Sequence, residues 1–91
     1  MKVYELLKDR KNWTQGFMAR RADGIAVGTS DDNAVCWCLI GALYKCYRVE
    51  EVEKHKILLM RELTVLSLTN WNDHPKRKHS EIVAVLKKVN I

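Results

Sequence analysis

The stretch from Ala34 to Tyr44 (AVCWCLIGALY) constrains the fold most strongly, because it is the longest run without a charged or strongly polar side chain. It is longer than an ordinary strand and shorter than the roughly 20 apolar residues that a membrane span requires. Apolar side chains on nearly every face predict a helix that other segments surround. We therefore expect a buried central helix from about Ser30 to Cys46, with polar side chains of residues 29–33 capping its first turn.

Gly41 lies inside this predicted helix. Glycine in a helix costs up to about 1 kcal/mol relative to alanine, and a close backbone contact with a neighbouring segment is the simplest compensation. We therefore expect a tight crossing at this position, which a larger side chain would overpack.

Amphipathic patterns predict three further helices, at residues 2–10, 49–68 and 78–90. The apolar side chains of the long second one form a wide band: Val52, Ile57, Leu58, Leu59, Met60, Leu63 and Leu66. Residues 69–79 contain Pro75 and several turn formers, which predicts a loop before the last helix.

The Asp23-Gly24 pair, within residues 17–28, is the strongest local signal for a tight hairpin turn. We expect a small two-stranded ribbon there, lying against the helices because such a hairpin is marginal by itself. The predicted fold is thus mainly α (α+β): a compact single domain over residues 1–91, with three to four helices around a central buried helix and one small β-hairpin.

The composition is that of a soluble globular protein, with 47% hydrophobic and 30% charged residues in a chain of 91. No secretory signal pattern is visible in residues 1–9, and no run is long enough to span a membrane. Three cysteines, two of them in the central apolar run, indicate reduced thiols. We therefore expect a cytoplasmic protein without a disulfide framework.

A formal net charge of +5 is compatible with nucleic acid or an acidic partner but is specific for neither. The basic residues are scattered, apart from Arg20-Arg21 on the ribbon and a cluster before the last helix. The candidate contact surface therefore comprises Arg20, Arg21, Lys76, Arg77 and Lys78. The simpler interpretation of the ribbon arginines is a solvated outer face.

The cysteines offer little chemistry. On a helix, Cys36 and Cys38 would point about 200° apart, so they could not share a tetrahedral metal ion, and we assign no metal and no cofactor. Cys38 near His74 or His79 is a candidate nucleophile, but an activated thiolate needs an electropositive, partly exposed setting. An inert core thiol fits the apolar surroundings better, and we assign no catalytic residue.

The most notable polar cluster is Trp71-Asn72-Asp73-His74. With Cys38, the side chains of Asn72, Asp73 and His74 could line a pocket; alternatively, they cap the final helix and tie its loop to the ribbon. We favour the structural role, because Asn and Asp before a helix usually bond backbone amides.

Four short segments follow one another along the chain: Trp13-Thr14-Gln15-Gly16, Ala19-Arg20 to Ala22-Asp23-Gly24, Trp37-Cys38-Leu39 with Gly41-Ala42-Leu43, and Trp71-Asn72-Asp73. This pattern resembles a family of small uncharacterised proteins of bacterial and phage genomes. The resemblance implies that Cys38 is the family cysteine and that Asn72 and Asp73 belong to the signature. It also implies a hydroxyl residue at position 78; since Lys78 stands there, Asp73 or Ser80 is expected to cap the last helix.

The leading functional hypothesis is a small non-enzymatic accessory protein, bacterial or phage in origin, that binds another protein through Arg20-Arg21 and the loop from Trp71 to Lys78. One alternative is a basic accessory protein that binds nucleic acid, with strong salt dependence as its mark. The other is a small enzyme or ligand-binding domain that uses Cys38 and the residues from Trp71 to His74. The sequence leaves the oligomeric state open.

Overall fold

Five α-helices and one two-stranded antiparallel sheet make up the fold, in a computed structural model that describes all residues from 1 to 91. In chain order the elements are α1 (Val3–Leu7), a single 3₁₀ turn (Arg10–Asn12), β1 (Ala19–Arg21), β2 (Ala34–Trp37), α2 (Leu39–Cys46), α3 (Val49–Leu63), α4 (Leu68–Asp73) and α5 (His79–Val89). The predicted fold class, mainly helical with a small antiparallel ribbon, is confirmed. Not one of the helices has the length and apolar character needed to cross a bilayer.

The helix α2 lies at the centre and contacts α1, α3, α4 and β2. Its residues Leu39, Ala42 and Leu43 are completely buried, as expected for the apolar run. The largest side chains packed in the same core are Val3, Leu7, Leu39, Leu43, Val52, Leu59, Ile82 and Leu86. The chain ends meet beside this core, where the Tyr4 amide donates to the Ile91 carbonyl at 2.9 Å.

The first half of the central run is a strand, so the prediction of a helix from Ser30 to Cys46 is wrong for its N-terminal part. Antiparallel pairing with β1 aligns Ala19 with Trp37 and Arg20 with Cys36, with an irregularity before Arg21. This pairing satisfies backbone groups that a helix would have satisfied internally. Residues 28–33 form turns before the strand and do not cap a helix.

Cys38 caps α2 in place of the predicted residues. Its sulfur accepts a hydrogen bond from the Gly41 amide at 3.3 Å, in the position where Ser or Asp oxygens usually stand. Gly41 consequently lies in the first turn of the helix. The expected tight crossing is confirmed, because a Cβ at Gly41 would fall 2.7 Å from the carbonyl carbon of Met18 and closer still to its oxygen.

The Asp23-Gly24 turn forms as predicted, with Gly24 at a positive φ of 86°. Only one isolated bridge, between Arg20 and Ala26, joins the two sides of this turn. The main partner of β1 is the distant β2, and a further bridge places Trp13 beside Trp37 at the other edge. The ribbon is therefore built from segments far apart in sequence, not from the local hairpin alone.

The predicted helix over residues 49–68 ends early, at Leu63. Thr64 adopts left-handed geometry (φ 55°, ψ 50°), and the Val65 amide bonds back to the Met60 carbonyl at 3.1 Å. The segment expected to be a loop then contains α4, which starts because the Ser67 hydroxyl accepts from the Asn70 amide at 3.1 Å. A strong local cap thus overrides the turn formers, and Pro75 follows only after the helix ends.

The last helix is confirmed to within one residue at each end. The expectation that Asp73 or Ser80 caps it is wrong. Lys78 occupies the capping position, and the Glu81 carboxylate reaches back to its amide at 2.8 Å. This hydrogen bond is the largest cause of a lowered pKa at Glu81, with the Arg77 charge adding to it.

Candidate functional site

Asn72 is the centre of a polar junction between three separate parts of the chain. Its side chain is 1% exposed, and its Oδ1 atom accepts from the Trp13 indole at 2.8 Å and from the Leu39 amide at 3.1 Å. Its Nδ2 atom donates to the Thr14 carbonyl at 3.2 Å and to Asp73 Oδ1 at 2.9 Å. All four hydrogen-bonding positions of the carboxamide are therefore used inside the protein.

The same junction continues to the surface through Gln15 and Asp73. Gln15 Nε2 donates to the carbonyls of Asn72 at 2.8 Å and His74 at 3.0 Å. Asp73 Oδ1 also accepts from the Gly16 amide at 3.0 Å, where Gly16 turns the chain at a positive φ of 89°. Each residue from Trp13 to Gly16 is thus hydrogen-bonded to Asn72, Asp73 or His74 at the end of α4. We call this set of hydrogen bonds the polar clamp, because it attaches the segment beside the ribbon to the helices.

The structure brings most of the predicted polar cluster together. Asn72 and Asp73 are hydrogen-bonded to each other in the junction. Cys38 directly precedes Leu39, whose amide donates a hydrogen bond to Asn72. His74 lies at the exposed end, where its Nδ1 atom accepts from the Lys76 amide at 3.0 Å. None of the five principal surface pockets is lined by these four residues. The geometry of the cluster is that of a set of hydrogen bonds that connects separate segments of the chain.

Cys38 has the environment of an unreactive thiol. It is buried, and this burial is the main cause of a raised pKa, against which the amide hydrogen bonds of the helix start act only in part. A raised pKa keeps the thiol protonated and lowers the amount of nucleophilic thiolate at neutral pH. No three His, Cys, Asp or Glu side chains come together in a group that could hold a metal ion.

We expect Cys38 to resist alkylation in the folded protein. At neutral pH, iodoacetamide should modify half-buried Cys36 first and Cys38 at least about tenfold more slowly, because reaction at Cys38 requires local opening. Peptide mass spectrometry after timed quenching measures the order. Equal rates in denaturant provide the control, and preferential labelling of Cys38 in the native state would restore the nucleophile hypothesis.

The ribbon arginines are held by contacts within the chain. Arg20 donates to the Thr14 hydroxyl at 3.1 Å and to the Gln15 and Gly24 carbonyls, and its guanidinium lies 4.5 Å from the Phe17 ring centre. Arg21 forms an ion pair with Asp23, and this pair lowers the pKa of the carboxyl group. The contacts of both arginines therefore stabilise the ribbon and its turn.

Arg77 is likewise engaged, whereas its two neighbours are free. Its guanidinium stacks 4.0 Å from the Trp71 ring centre, donates to the Trp71 carbonyl at 2.8 Å and pairs with Glu81 at 2.9 Å. Lys76 and Lys78 are exposed and form no ion pair. Of the five residues of the candidate contact surface, only these two lysines have side chains without a hydrogen bond or an ion pair within the chain, while Arg20 bonds neutral oxygens only.

A second candidate site, which the sequence analysis did not single out, is an open apolar depression at the C-terminal end of α3. It has a volume of about 420 Å³. Its lining residues are Ile57, Met60, Arg61, Thr64, Val65 and Leu66. Leu66 is 96% exposed and Ile57 44% exposed. The sequence signal for this depression is the wide apolar band of the long helix, which has more apolar side chains than the core can bury.

These observations define a small, mainly helical protein whose sequence motifs meet in a buried polar clamp. The chain belongs to the family of unknown function DUF6197, whose sequence model matches residues 2–90. This agrees with the resemblance to a family of uncharacterised proteins. Comparison with curated proteins and with solved structures found no match.

Proposed function

We propose that this protein is a non-enzymatic interaction protein, an accessory protein of bacterial or phage origin, that works by binding another protein through the depression beside α3. The observation that carries the proposal is the nearly complete exposure of Leu66 beside exposed Ile57 and half-buried Met60 and Val65. Single exposed apolar residues are common, but a contiguous group around a depression marks an interaction site more often.

The position of the depression supports this role. Val65 and Leu66 lie between the end of α3 and the start of α4, and their backbone is fixed by the Thr64 turn on one side and the Ser67 cap on the other. An apolar side chain held outward on a fixed backbone can be buried by a partner at little conformational cost. Leu66 is therefore suited to act as an anchor residue.

The alternatives have less support from the geometry. Three of the five basic residues proposed as a contact surface are held in intramolecular contacts, which weakens the case for nucleic-acid binding. The polar cluster uses its hydrogen-bonding groups within the protein, and Cys38 is buried and protonated at neutral pH, which weakens the case for an enzyme. Protein binding through the depression does not depend on any of these residues, so this proposal moves the contact surface away from the basic residues that the sequence suggested.

The test is capture from a bacterial lysate with the tagged full chain, the Leu66→Asp variant and Val49→Asp as the matched control. Val49 is 71% exposed at the opposite end of α3, so the control adds the same charge away from the depression. We expect one or few proteins to be retained after nuclease treatment by the wild type and by Val49→Asp. Leu66→Asp should reduce their recovery at least about tenfold, since it places a charge in an apolar contact.

Two results would contradict the proposal. Loss of every captured protein upon nuclease treatment would move nucleic-acid binding to first place. Equal capture by Leu66→Asp and the wild type would exclude the depression as the binding surface. Circular dichroism of both variants should match the wild type, because neither substitution touches the core.

A further inference from the structure

We infer that the partner segment which binds the depression is an acidic amphipathic helix. This inference rests on the proposed function and names the chemistry of the partner. The residues of α3 that line the depression are Ile57, Met60 and Arg61, at the spacing i, i+3 and i+4, and the left-handed Thr64 that ends the helix follows at i+7. These four residues form one continuous row along the end of α3 and its C-terminal turn, and Val65 and Leu66 complete the lining from the loop.

A second helix can pack along a row with this spacing, in the groove beside it. Ridges of side chains at i, i+3, i+4 and i+7 on one helix pack into the corresponding groove of another. The row spans about 10 Å, or two turns, so a segment of about three turns would cover it together with Leu66. The apolar side chains of such a segment would cover Ile57, Met60 and Leu66.

The charges around the groove select an acidic partner. Arg61 lies within the depression, and Lys54 stands one turn before Ile57 on the same exposed face of α3. Neither side chain forms an ion pair or a hydrogen bond within the chain. The carboxylates beside Ile57 and Arg61 are already compensated, since Glu53 pairs with Lys56 and Glu62 with Lys88, whereas exposed Glu50 stands one turn before Lys54. The groove therefore presents the uncompensated Arg61 to its occupant, with Lys54 as a second cation at its edge.

A second copy of this chain is a poorer occupant. In a two-fold interface the same patch occurs on both subunits, so contact between the Ile57 regions would bring Lys54 and Arg61 against each other or against themselves. An antiparallel contact centred on Ile57 and Leu58 sets Lys54 of one copy opposite Arg61 of the other, so that two cations face each other beside the apolar contact. A planar anionic membrane is disfavoured for another reason, since it would also meet the exposed Glu50 and Glu51 at the start of α3.

The experiment is a selection from a displayed library of random peptides of about twelve residues, long enough for three helical turns. The full chain is the bait, and peptides that also bind Leu66→Asp are removed. The same selection is run with Arg61→Glu. The retained peptides are synthesised, and their affinity for each protein is measured by fluorescence anisotropy at low and high salt.

We expect the wild type to retain peptides with a net negative charge and apolar residues at helical spacing. Arg61→Glu should weaken their binding about tenfold or more and shift its own selection toward basic peptides. Neutral or basic peptides from the wild type, or an empty selection, would overturn the inference. So would Leu66-dependent dimerisation in analytical ultracentrifugation or Leu66-dependent flotation with phosphatidylserine vesicles.

This outcome is separable from that of the proposed function. A host protein captured through Leu66 without any acidic peptide in the selection would leave the proposed function standing and reject the acidic helix. An acidic peptide that depends on Leu66 and Arg61 would support both.

Discussion

Replacing Asn72 with alanine is expected to lower the free energy of unfolding by about 3–5 kcal/mol, a large part of the 5–15 kcal/mol that stabilises a domain. The carboxamide satisfies the Trp13 indole, the Leu39 amide and the Thr14 carbonyl at once. Each of these groups would be left without a partner next to the core, at a cost of about 1–3 kcal/mol apiece. Partial entry of water into the space left by the side chain offsets some of the sum.

Urea denaturation monitored by tryptophan fluorescence measures this loss. Asn70→Ala is the matched control, because Asn70 lies on the same helix with an exposed side chain and contributes only its backbone amide to the Ser67 cap. It should change stability by less than about 0.5 kcal/mol. If Asn72→Ala does not fold, Asp73→Ala serves as a graded substitute.

Asp73→Ala should cost on the order of 1 kcal/mol, since the amide of Gly16 lies at the surface and can bond water instead. A stability loss at Asn72 no larger than the loss at Asn70 would mean that the polar junction does not hold the ribbon to the helices. It would also reopen the hypothesis that the residues from Trp71 to His74 line a ligand pocket.

Gly41→Ala is expected to destabilise the protein by about 2–4 kcal/mol, although alanine is the better helix former by up to about 1 kcal/mol. The new methyl group would overlap the backbone carbonyl of Met18, which also accepts the Cys38 amide at 3.1 Å. A backbone group cannot rotate away as a flexible side chain can. Relief therefore requires the ribbon to separate from the first turn of α2, and Gly41→Leu should be worse still.

Thermal unfolding followed by circular dichroism tests this expectation, with a predicted fall in Tm on the order of 10 °C for alanine. Gly28→Ala is the control, because a Cβ at Gly28 meets no atom within 4 Å and its φ is not positive. The control should leave Tm within a few degrees of the wild type. An unchanged melting curve for Gly41→Ala would show that the ribbon does not press on α2 as described.

The polar cluster illustrates how far the sequence could lead. The residues Asn72 and Asp73 stood out because they lie beside an indole and before a helix, and this suggested structural bonds to backbone amides. Their actual partners lie 33 to 59 residues away, apart from the contact between the two side chains themselves. Local spacing contains no information on such partners, so a tie to the ribbon could be expected in general terms, but the groups that form it could not be predicted.

The depression beside α3 was hidden for a related reason. Ile57, Met60 and Leu66 continued a helical stripe, and a stripe alone does not show which of its members the core covers. The end of α3 at Leu63 turns Leu66 away from the core and leaves it exposed. That end depends on a left-handed residue that is not glycine, which sequence patterns rarely indicate.

The sequence by itself determined the class of fold, the short and long amphipathic helices, the Asp23-Gly24 turn and the requirement for glycine at position 41. The helices and the turn follow from interactions between residues close in the chain, such as helical periodicity and turn geometry. Gly41 stood out by the local cost of glycine in a helix, although the contact that requires it is with distant Met18. Only the tertiary structure decided that residues 34–37 are a strand, that Cys38 caps α2 and that Asn72 joins three segments. Strand pairing and the satisfaction of buried polar groups depend on partners distant in the sequence, and these outweigh local preference.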